Sequence, residues 1–159
     1  MEIRSVSVAE ARSIRREVLR PGRPESEVTY PHDDSVSAIH LGVFEGNGLI
    51  GAATFLPEEC AGHKGAIAWR LRGMAVVESA RARGLGSELL SHGINRASHS
   101  GVDIVWCNGR VPARSFYERH GFSAIGEEFF IPVTGPHYLF ILQVGTNNSF
   151  KPRLLRNVP

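Results

Sequence analysis

Arginine and glycine crowd into one stretch of this sequence in a pattern suited to holding a polyanion. Arg70 and Arg72 lie in a strand-like run, and Arg81-Ala82-Arg83-Gly84-Leu85-Gly86 follows it closely. The glycines stand where a turn opens into a helix. The first N–H groups of a helix have no intrahelical partner and carry partial positive charge. Glycine lets a ligand come close to that backbone, and phosphate oxygens are its natural occupants. Arg81 and Arg83 can add charge-assisted bonds. Two familiar phosphate loops do not fit. No lysine follows the glycines as GxxxxGK[ST] requires, and Glu88 and Leu89 follow Gly86 where GxGxxG would need its last glycine.

The elements that must carry these residues read as an alternating pattern. Glu2–Val6 is a first strand. A helix over Val8–Leu19 places Ala11, Ile14 and Val18 on one stripe, with the arginines expected on the other face, until Pro21 and Gly22 stop it. Residues 21–37 form a long polar loop with room for one helical turn, of the kind that serves as a lid or binding edge. Ala38–Glu45 and Gly48–Leu56 pair as a hairpin about Gly46-Asn47. A loop over Pro57–Gly65 leads to a strand over Ala66–Val77, in which Trp69, Leu71 and Gly73 share one face and Arg70, Arg72, Met74 and Val76 the other. A helix from Gly84 to Ser98 carries Leu85, Leu89 and Gly93 along one stripe. Ile104–Cys107 is a further strand, and Pro112 and Gly121 bound a third helix. Phe122–Ile131 and His137–Val144 close the fold around Thr134-Gly135-Pro136.

The order β-α-β-β-β-α-β-α-β-β describes a single α/β domain with a mixed sheet over residues 1–145, followed by a polar C-terminal tail over 146–159. No repeat or linker divides it. The 159 residues suit one core, and a composition 42% hydrophobic and 21% charged is that of an ordinary soluble domain. No apolar run reaches the roughly 20 residues of a bilayer span, and the N-terminus lacks a secretory apolar core, so a cytoplasmic protein with no membrane partner is expected. A net charge of +2 is too small to imply a nucleic-acid partner. Cys60 and Cys107 have neither a CxxC spacing nor a partnering run of histidines, so no metal site is expected. A disulfide between them stays open.

The RxxGxG segment after a strand ending in Met74-Ala75-Val76, and before a leucine-bearing helix, resembles motif A of the GNAT (GCN5-related) N-acetyltransferases. A second segment agrees. Asn108, then Ala113-Arg114-Ser115-Phe116-Tyr117-Glu118-Arg119-His120-Gly121-Phe122, resembles that family's N…A-x-x-F-Y-x-x-x-G-F. The resemblance spans Ala66 to Phe122 and implies a GNAT-like fold that binds acetyl-CoA as cosubstrate. It implies that Met74, Ala75 and Val76 hold the pantetheine arm and the acyl carbonyl. It places the pyrophosphate on Arg81, Ala82, Arg83, Gly84, Leu85, Gly86 and Ser87, and lines the rest of the coenzyme with Asn108, Ala113 and Phe116. Tyr117 matches the tyrosine beside the thioester sulfur, where a phenol can protonate the departing thiolate.

The expected activity is transfer of an acetyl group to a primary amine of a small molecule or peptide. The family's strand glutamate is replaced here by Arg70, which cannot act as a base. Glu59, His40, His137 and a water relay to bulk solvent are alternatives, none of them singled out by pattern. An acyl-CoA-binding sensor without turnover is the competing reading. Arg70 and Arg72, on the face that the family turns to the acceptor, point to an anionic acceptor held bidentately and disfavour a polycation. A homodimer is compatible with the sequence.

Overall fold

The first helix is set by its own sequence. Ser7 accepts the Glu10 N–H at 3.1 Å and the Glu10 carboxylate takes the Ser7 N–H at 2.7 Å, a reciprocal cap that starts α1 (Val8–Leu19). In the computed structural model, which describes residues 1–145, α1 buries Ala11 and Ile14 as expected but also Arg15. The expectation that all its arginines face away is therefore corrected. Position 15 lies four residues after Ala11 and beside Ile14, on the buried stripe itself.

The chain forms two compact units, one of Met1–Pro57 with Leu71–Arg96, the other of Glu58–Arg70 with the chain from Ala97 onward. Seven strands are hydrogen-bonded in the order β1-β2-β3-β4-β5-β7-β6. In the first unit β1 (Glu2–Ser5) runs antiparallel to β2 (Ile39–Glu45), and β2 antiparallel to β3 (Gly48–Pro57). Gly46 at φ +58° makes the hairpin turn. The 21–37 loop holds one short 3₁₀ turn, Glu25–Val28. Ala11, Ile14, Ala52 and Ala75 form a core with Val6, Val18 and Leu49 around it. Helix α2 (Leu85–His99) buries Leu85, Leu89 and Leu90. Gly93 lies so close to Phe55 that a Cβ there would fall 1.9 Å from the ring.

Strand β4 (Ala68–Val76) contributes to both units. Trp69, Leu71 and Ala75 are buried, while Arg70, Arg72, Met74 and Val76 are half-buried, as the alternation predicts. Gly73 departs from it with φ +61°, an irregularity inside the strand that glycine alone accommodates without strain.

In the second unit Ala68–Arg70 pair in parallel with β5 (Ile104–Arg110), longer than the expected Ile104–Cys107. β7 (Gly135–Gln143) is antiparallel to both β5 and β6 (Ser123–Ile131). Cys60, Ala66, Ala68, Ile104, Trp106 and Ile141 form its core. The third helix is shorter than expected: Val111–Ala113 is a 3₁₀ turn and only Arg114–Arg119 is α3. The β6–β7 turn falls earlier than Thr134-Gly135-Pro136, because Gly135 already pairs with Ile131 and Val133 takes the positive φ of +71°. Both cysteines are free and buried. Among the described residues no helix is long and apolar enough to cross a membrane, and no cluster of metal-ligating side chains occurs. The tail over 146–159 lies outside the described residues.

Candidate active site

The glycine turn belongs wholly to the first unit. β4 ends at Val76, a 3₁₀ turn spans Glu78–Ala80, and the backbone then takes positive φ at Ala82 (+60°) and at Gly84 (+78°). Ala82 is strained there, since only glycine enters that region freely. Positive φ within a turn, here on both sides of Arg83, is geometry from which successive N–H groups can form an anion-binding concavity. The first bond of the α2 ladder is Glu88 N–H to the Gly84 carbonyl at 3.1 Å. The N–H groups of Leu85, Gly86 and Ser87 therefore precede the ladder. A Cβ at Gly84 would meet nothing within 4 Å, so the approach is open.

The two turn arginines are held lightly at the exposed surface. Arg81 Nε donates to the Val76 carbonyl at 3.4 Å, and Arg83 Nη2 pairs with Glu45 Oε1 at 2.5 Å. That hydrogen bond and the Arg83 charge hold the Glu45 carboxyl below its usual range. Exposed pairs of this kind are weak and screened by salt, so both guanidinium groups can turn to a stronger anion. Met74, Ala75 and Val76 lead into this turn on the same strand.

Tyr117 belongs to the second unit, on α3. Its ring stacks on Phe140 at 4.8 Å and meets Phe116 and Phe122 edge-on at 5.2 and 5.6 Å. Gly109 makes room for it, since a Cβ there would lie 2.6 Å from both the Phe140 and Tyr117 rings. The hydroxyl meets the buried Cys107 thiol. Burial pushes the phenol well above its ordinary range, with Cys107 adding to the shift. Burial likewise pushes the thiol up to about 12, against the opposing Tyr117 hydrogen bond and Arg70 charge. Tyr117 thus packs and also keeps a protonated hydroxyl. Asn108, Ala113 and Phe116 are half-buried in the same unit.

Arg70 joins this set through its charge on Cys107. Its Nη1 donates to Glu58 Oε1 at 3.1 Å and its guanidinium lies 4.8 Å from the Trp106 ring centre. Trp106 Nε1 in turn donates to the Glu58 carbonyl at 2.9 Å. The Arg70 Nε is buried without a partner. Glu58, rather than the exposed Glu59, is the carboxylate that the fold brings to Arg70. Sequence reasoning missed it because its pairing depends on the β3–β4 connection, where Glu58 N–H bonds the Ala68 carbonyl at 3.1 Å.

His40 is removed from the candidate bases. Its Nδ1 meets Thr54 Oγ1 at 2.7 Å and its Nε2 the Asp33 carbonyl at 3.0 Å, so neither nitrogen is free. The carbonyl can only accept, so Nε2 carries the proton and Nδ1 accepts from Thr54. His137 donates from Nδ1 to the Gly135 carbonyl at 2.7 Å, faces Arg110 across the strands and lies against Phe129. A second cluster in the first unit was not foreseen: Arg15, Asp33, Thr54 and His40, all buried, with Tyr30 and Arg72 beside them. The signal available for it was the position of Arg15 on the apolar stripe of α1, with acids in the following loop.

The model of the acetyltransferase (GNAT) family matches residues 8–122. An N-acetyltransferase of Bacillus subtilis (strain 168), YitI, itself described as uncharacterized, is 35% identical over 147 residues, covering 92% of this chain and 99% of that protein. The fold is shared with the ribosomal-protein-S18-alanine N-acetyltransferase from Escherichia coli (TM-score 0.73, 17% identity, 94% and 97% of the two chains). It is shared too with an aminoglycoside 6'-N-acetyltransferase solved with coenzyme A (TM-score 0.68, 14% identity, 91% and 97%).

Proposed function

This chain belongs to the acetyltransferase (GNAT) family and is an N-acetyltransferase, and from that premise we propose how its residues divide the work. Acetyl-CoA lies with its pyrophosphate on the backbone of Arg81, Ala82, Arg83, Gly84, Leu85, Gly86 and Ser87. The backbone of Met74, Ala75 and Val76 takes the pantetheine arm and the acyl carbonyl, with Asn108, Ala113 and Phe116 lining the remainder. The observation that carries this assignment is the turn itself, where N–H groups ahead of the helix ladder follow left-handed residues at 82 and 84.

The acceptor amine attacks the acyl carbon through its lone pair, the C–S bond breaks, and the amine gives up a proton to water, which returns one to the Tyr117 phenolate left after the thiolate is protonated. Backbone N–H donors oppose the negative charge gathering on the carbonyl oxygen. Tyr117 donates its hydroxyl proton to the departing thiolate; its position on α3, within the segment that the family model matches, supports the role, and the burial that raises this phenol makes it a weaker acid and works against it. Arg70 and Arg72, two positions apart on β4, hold an anionic group of the acceptor. Supporting this are the unpartnered buried Nε of Arg70, its anchorage by Glu58 and Trp106, and the Arg72 guanidinium 4.1 Å from the Tyr30 ring centre. The two free thiols fit a reducing compartment, and we place the enzyme in the cytoplasm on that ground.

Thermal unfolding with and without CoA tests the coenzyme site. A hundredfold excess over Kd stabilises by about 2.7 kcal/mol, and Gly86→Asp abolishes the shift while the unliganded protein still unfolds cooperatively. Absence of any shift at millimolar CoA would refute the assignment.

A further inference from the structure

Arg15 and Asp33 are buried at 0% and 1% exposure, and nearly every polar atom they carry is used. Arg15 Nη1 donates to Asp33 Oδ2 at 2.7 Å and to the Val28 carbonyl at 2.8 Å. Its Nη2 donates to Asp33 Oδ1 at 2.9 Å and to Thr54 Oγ1. Arg12 Nε adds a third contact to the same carboxylate at 3.1 Å. Thr54 then donates to His40 Nδ1, and His40 Nε2–H returns to the Asp33 carbonyl, closing a ring in which each donor has one direction. The exception is Arg15 Nε, which has no partner. It faces Gly73, where a Cβ would lie 2.6 Å away, and the same Cβ would come within 3.0 Å of Tyr30.

The Tyr30 ring is what this cluster holds in place. The Arg15 guanidinium lies 4.3 Å from its centre and the Arg72 guanidinium 4.1 Å. One half-buried ring therefore carries an interior arginine, locked by Asp33, and the strand arginine of the acceptor face. An apolar plug could tie down the 21–37 loop with less desolvation. A bidentate carboxylate fixes the plane of a guanidinium, and with it the plane of a ring laid on that guanidinium.

We propose that Asp33 is a positioning residue for acceptor recognition: by orienting the buried Arg15 it fixes the Tyr30 ring, and the ring holds Arg72 in the orientation that meets the acceptor's anionic group. This rests on the anion-holding role of Arg72 proposed above. It assigns the 21–37 loop a fixed part in specificity through Tyr30 rather than a free lid.

The test uses the full chain and two independent readouts. The first is the ¹H–¹⁵N spectrum of the arginine side chains, in which a guanidinium above an aromatic ring is displaced upfield. The second is steady-state kinetics with acetyl-CoA and glutamate, O-phosphoethanolamine or spermidine as probe acceptors. Tyr30→Leu, which leaves the Arg15–Asp33 pair intact, is expected to abolish the upfield displacement of Arg72. It should also raise KM for the anionic probes about tenfold, with little change in kcat and an unaltered CoA-induced thermal shift. Asp33→Asn should do the same, and Tyr30→Phe, which keeps the ring, should restore both readouts. An Arg72 signal that Tyr30→Leu leaves in place overturns the proposal, and so does a displaced signal with unchanged KM. Should Asp33→Asn fail to fold, Asp33→Glu, which keeps the charge but displaces the carboxylate by one methylene, takes its place, with the same loss of both readouts expected and unchanged readouts overturning the proposal. If the wild-type enzyme prefers spermidine, the anionic-acceptor reading falls and this proposal with it. The CoA thermal shift separately reports whether the coenzyme assignment stands.

Discussion

The surroundings of Arg72 and of Tyr117 solve the same problem by different physics. In the first unit a half-buried side chain is placed by buried charges, through Tyr30, Arg15 and Asp33, with each hydrogen bond pointing one way. In the second, Tyr117 is placed by rings, Phe140, Phe116 and Phe122, with the Cys107 thiol at its hydroxyl. Charge clusters are all-or-none, because one missing member leaves a bare charge in a poor solvent. Ring clusters degrade by degrees, because a lost contact removes only its own share of dispersion and area. The difference is open to direct attack by substitution.

The largest expected effect is from Asp33→Ala. It leaves Arg15 charged at 0% exposure without its counterion, and such losses cost about 3–5 kcal/mol. Urea unfolding of the purified variant measures it. A cost below about 1 kcal/mol would mean that the remaining acceptors or water satisfy Arg15, and the all-or-none description of the first unit would fail. Next in size is Tyr117→Phe, which spares the ring stack and removes the hydroxyl. Stability should change little while kcat falls on the order of a hundredfold with CoA affinity kept. An unaltered rate would return Tyr117 to packing alone, the thiolate then leaving unprotonated.

How much of this was legible beforehand follows the same division. The strands, α1 and α2 were readable because hydrophobic period and turn glycines are local signals: Ser7 and Glu10 start α1, and Gly46 turns the hairpin. The RxxGxG turn was readable for the same reason. The Arg15–Asp33–Thr54–His40 ring was not, because its members are brought together from α1, a loop and two strands by tertiary folding. Assigning the α1 arginines to the solvent side followed residue type where position should have ruled. The early end of the β6–β7 turn escaped because Val133, a β-branched residue, occupies a left-handed position that sequence rules give to Gly135. The pairing of Arg70 with Glu58 was hidden by their separation along the chain.

A third substitution tests whether the second unit yields by degrees. Gly109→Ala puts a methyl 2.6 Å from the edges of Phe140 and Tyr117, so one ring must shift. Overpacking of this size costs about 1–3 kcal/mol. The rings should move as a group, and kcat should drop with the displaced phenol. A loss of cooperative unfolding would mean that this cluster, too, is all-or-none.

The smallest effect separates the two regions by pH. His40 lies below its ordinary value, first because burial penalises the imidazolium and then through the charges of Arg15 and Arg12, with Asp33 opposing. The unfolded chain therefore takes up this proton before the folded one does, so stability is complete above pH about 6.5 and declines as pH falls below it. The Asp33 carboxyl is also lowered: burial acts to raise it, and Arg15 and Arg12 more than reverse that. Its share is lost only below the ordinary carboxylate range, near pH about 4. In the second unit burial raises the Cys60 and Cys107 thiols to about 11 and about 12. The unfolded thiols ionise above pH about 8.5 while the folded ones stay neutral, so stability declines as pH rises beyond that point. The acid limb thus belongs to the charge cluster and the alkaline limb to the apolar one. Each should amount to roughly 1 kcal/mol per group within a pH unit of its onset. Urea midpoints from pH 5 to pH 10, for wild type, His40→Gln and Cys60→Ala, read the limbs separately. His40→Gln should flatten the acid side between pH about 6.5 and 5 and leave the alkaline side alone, and Cys60→Ala should lessen the alkaline loss, Cys107 carrying the rest, and leave the acid side alone. Alkaline loss that persists unchanged after both thiols are replaced by alanine would assign that limb to other groups and remove the distinction.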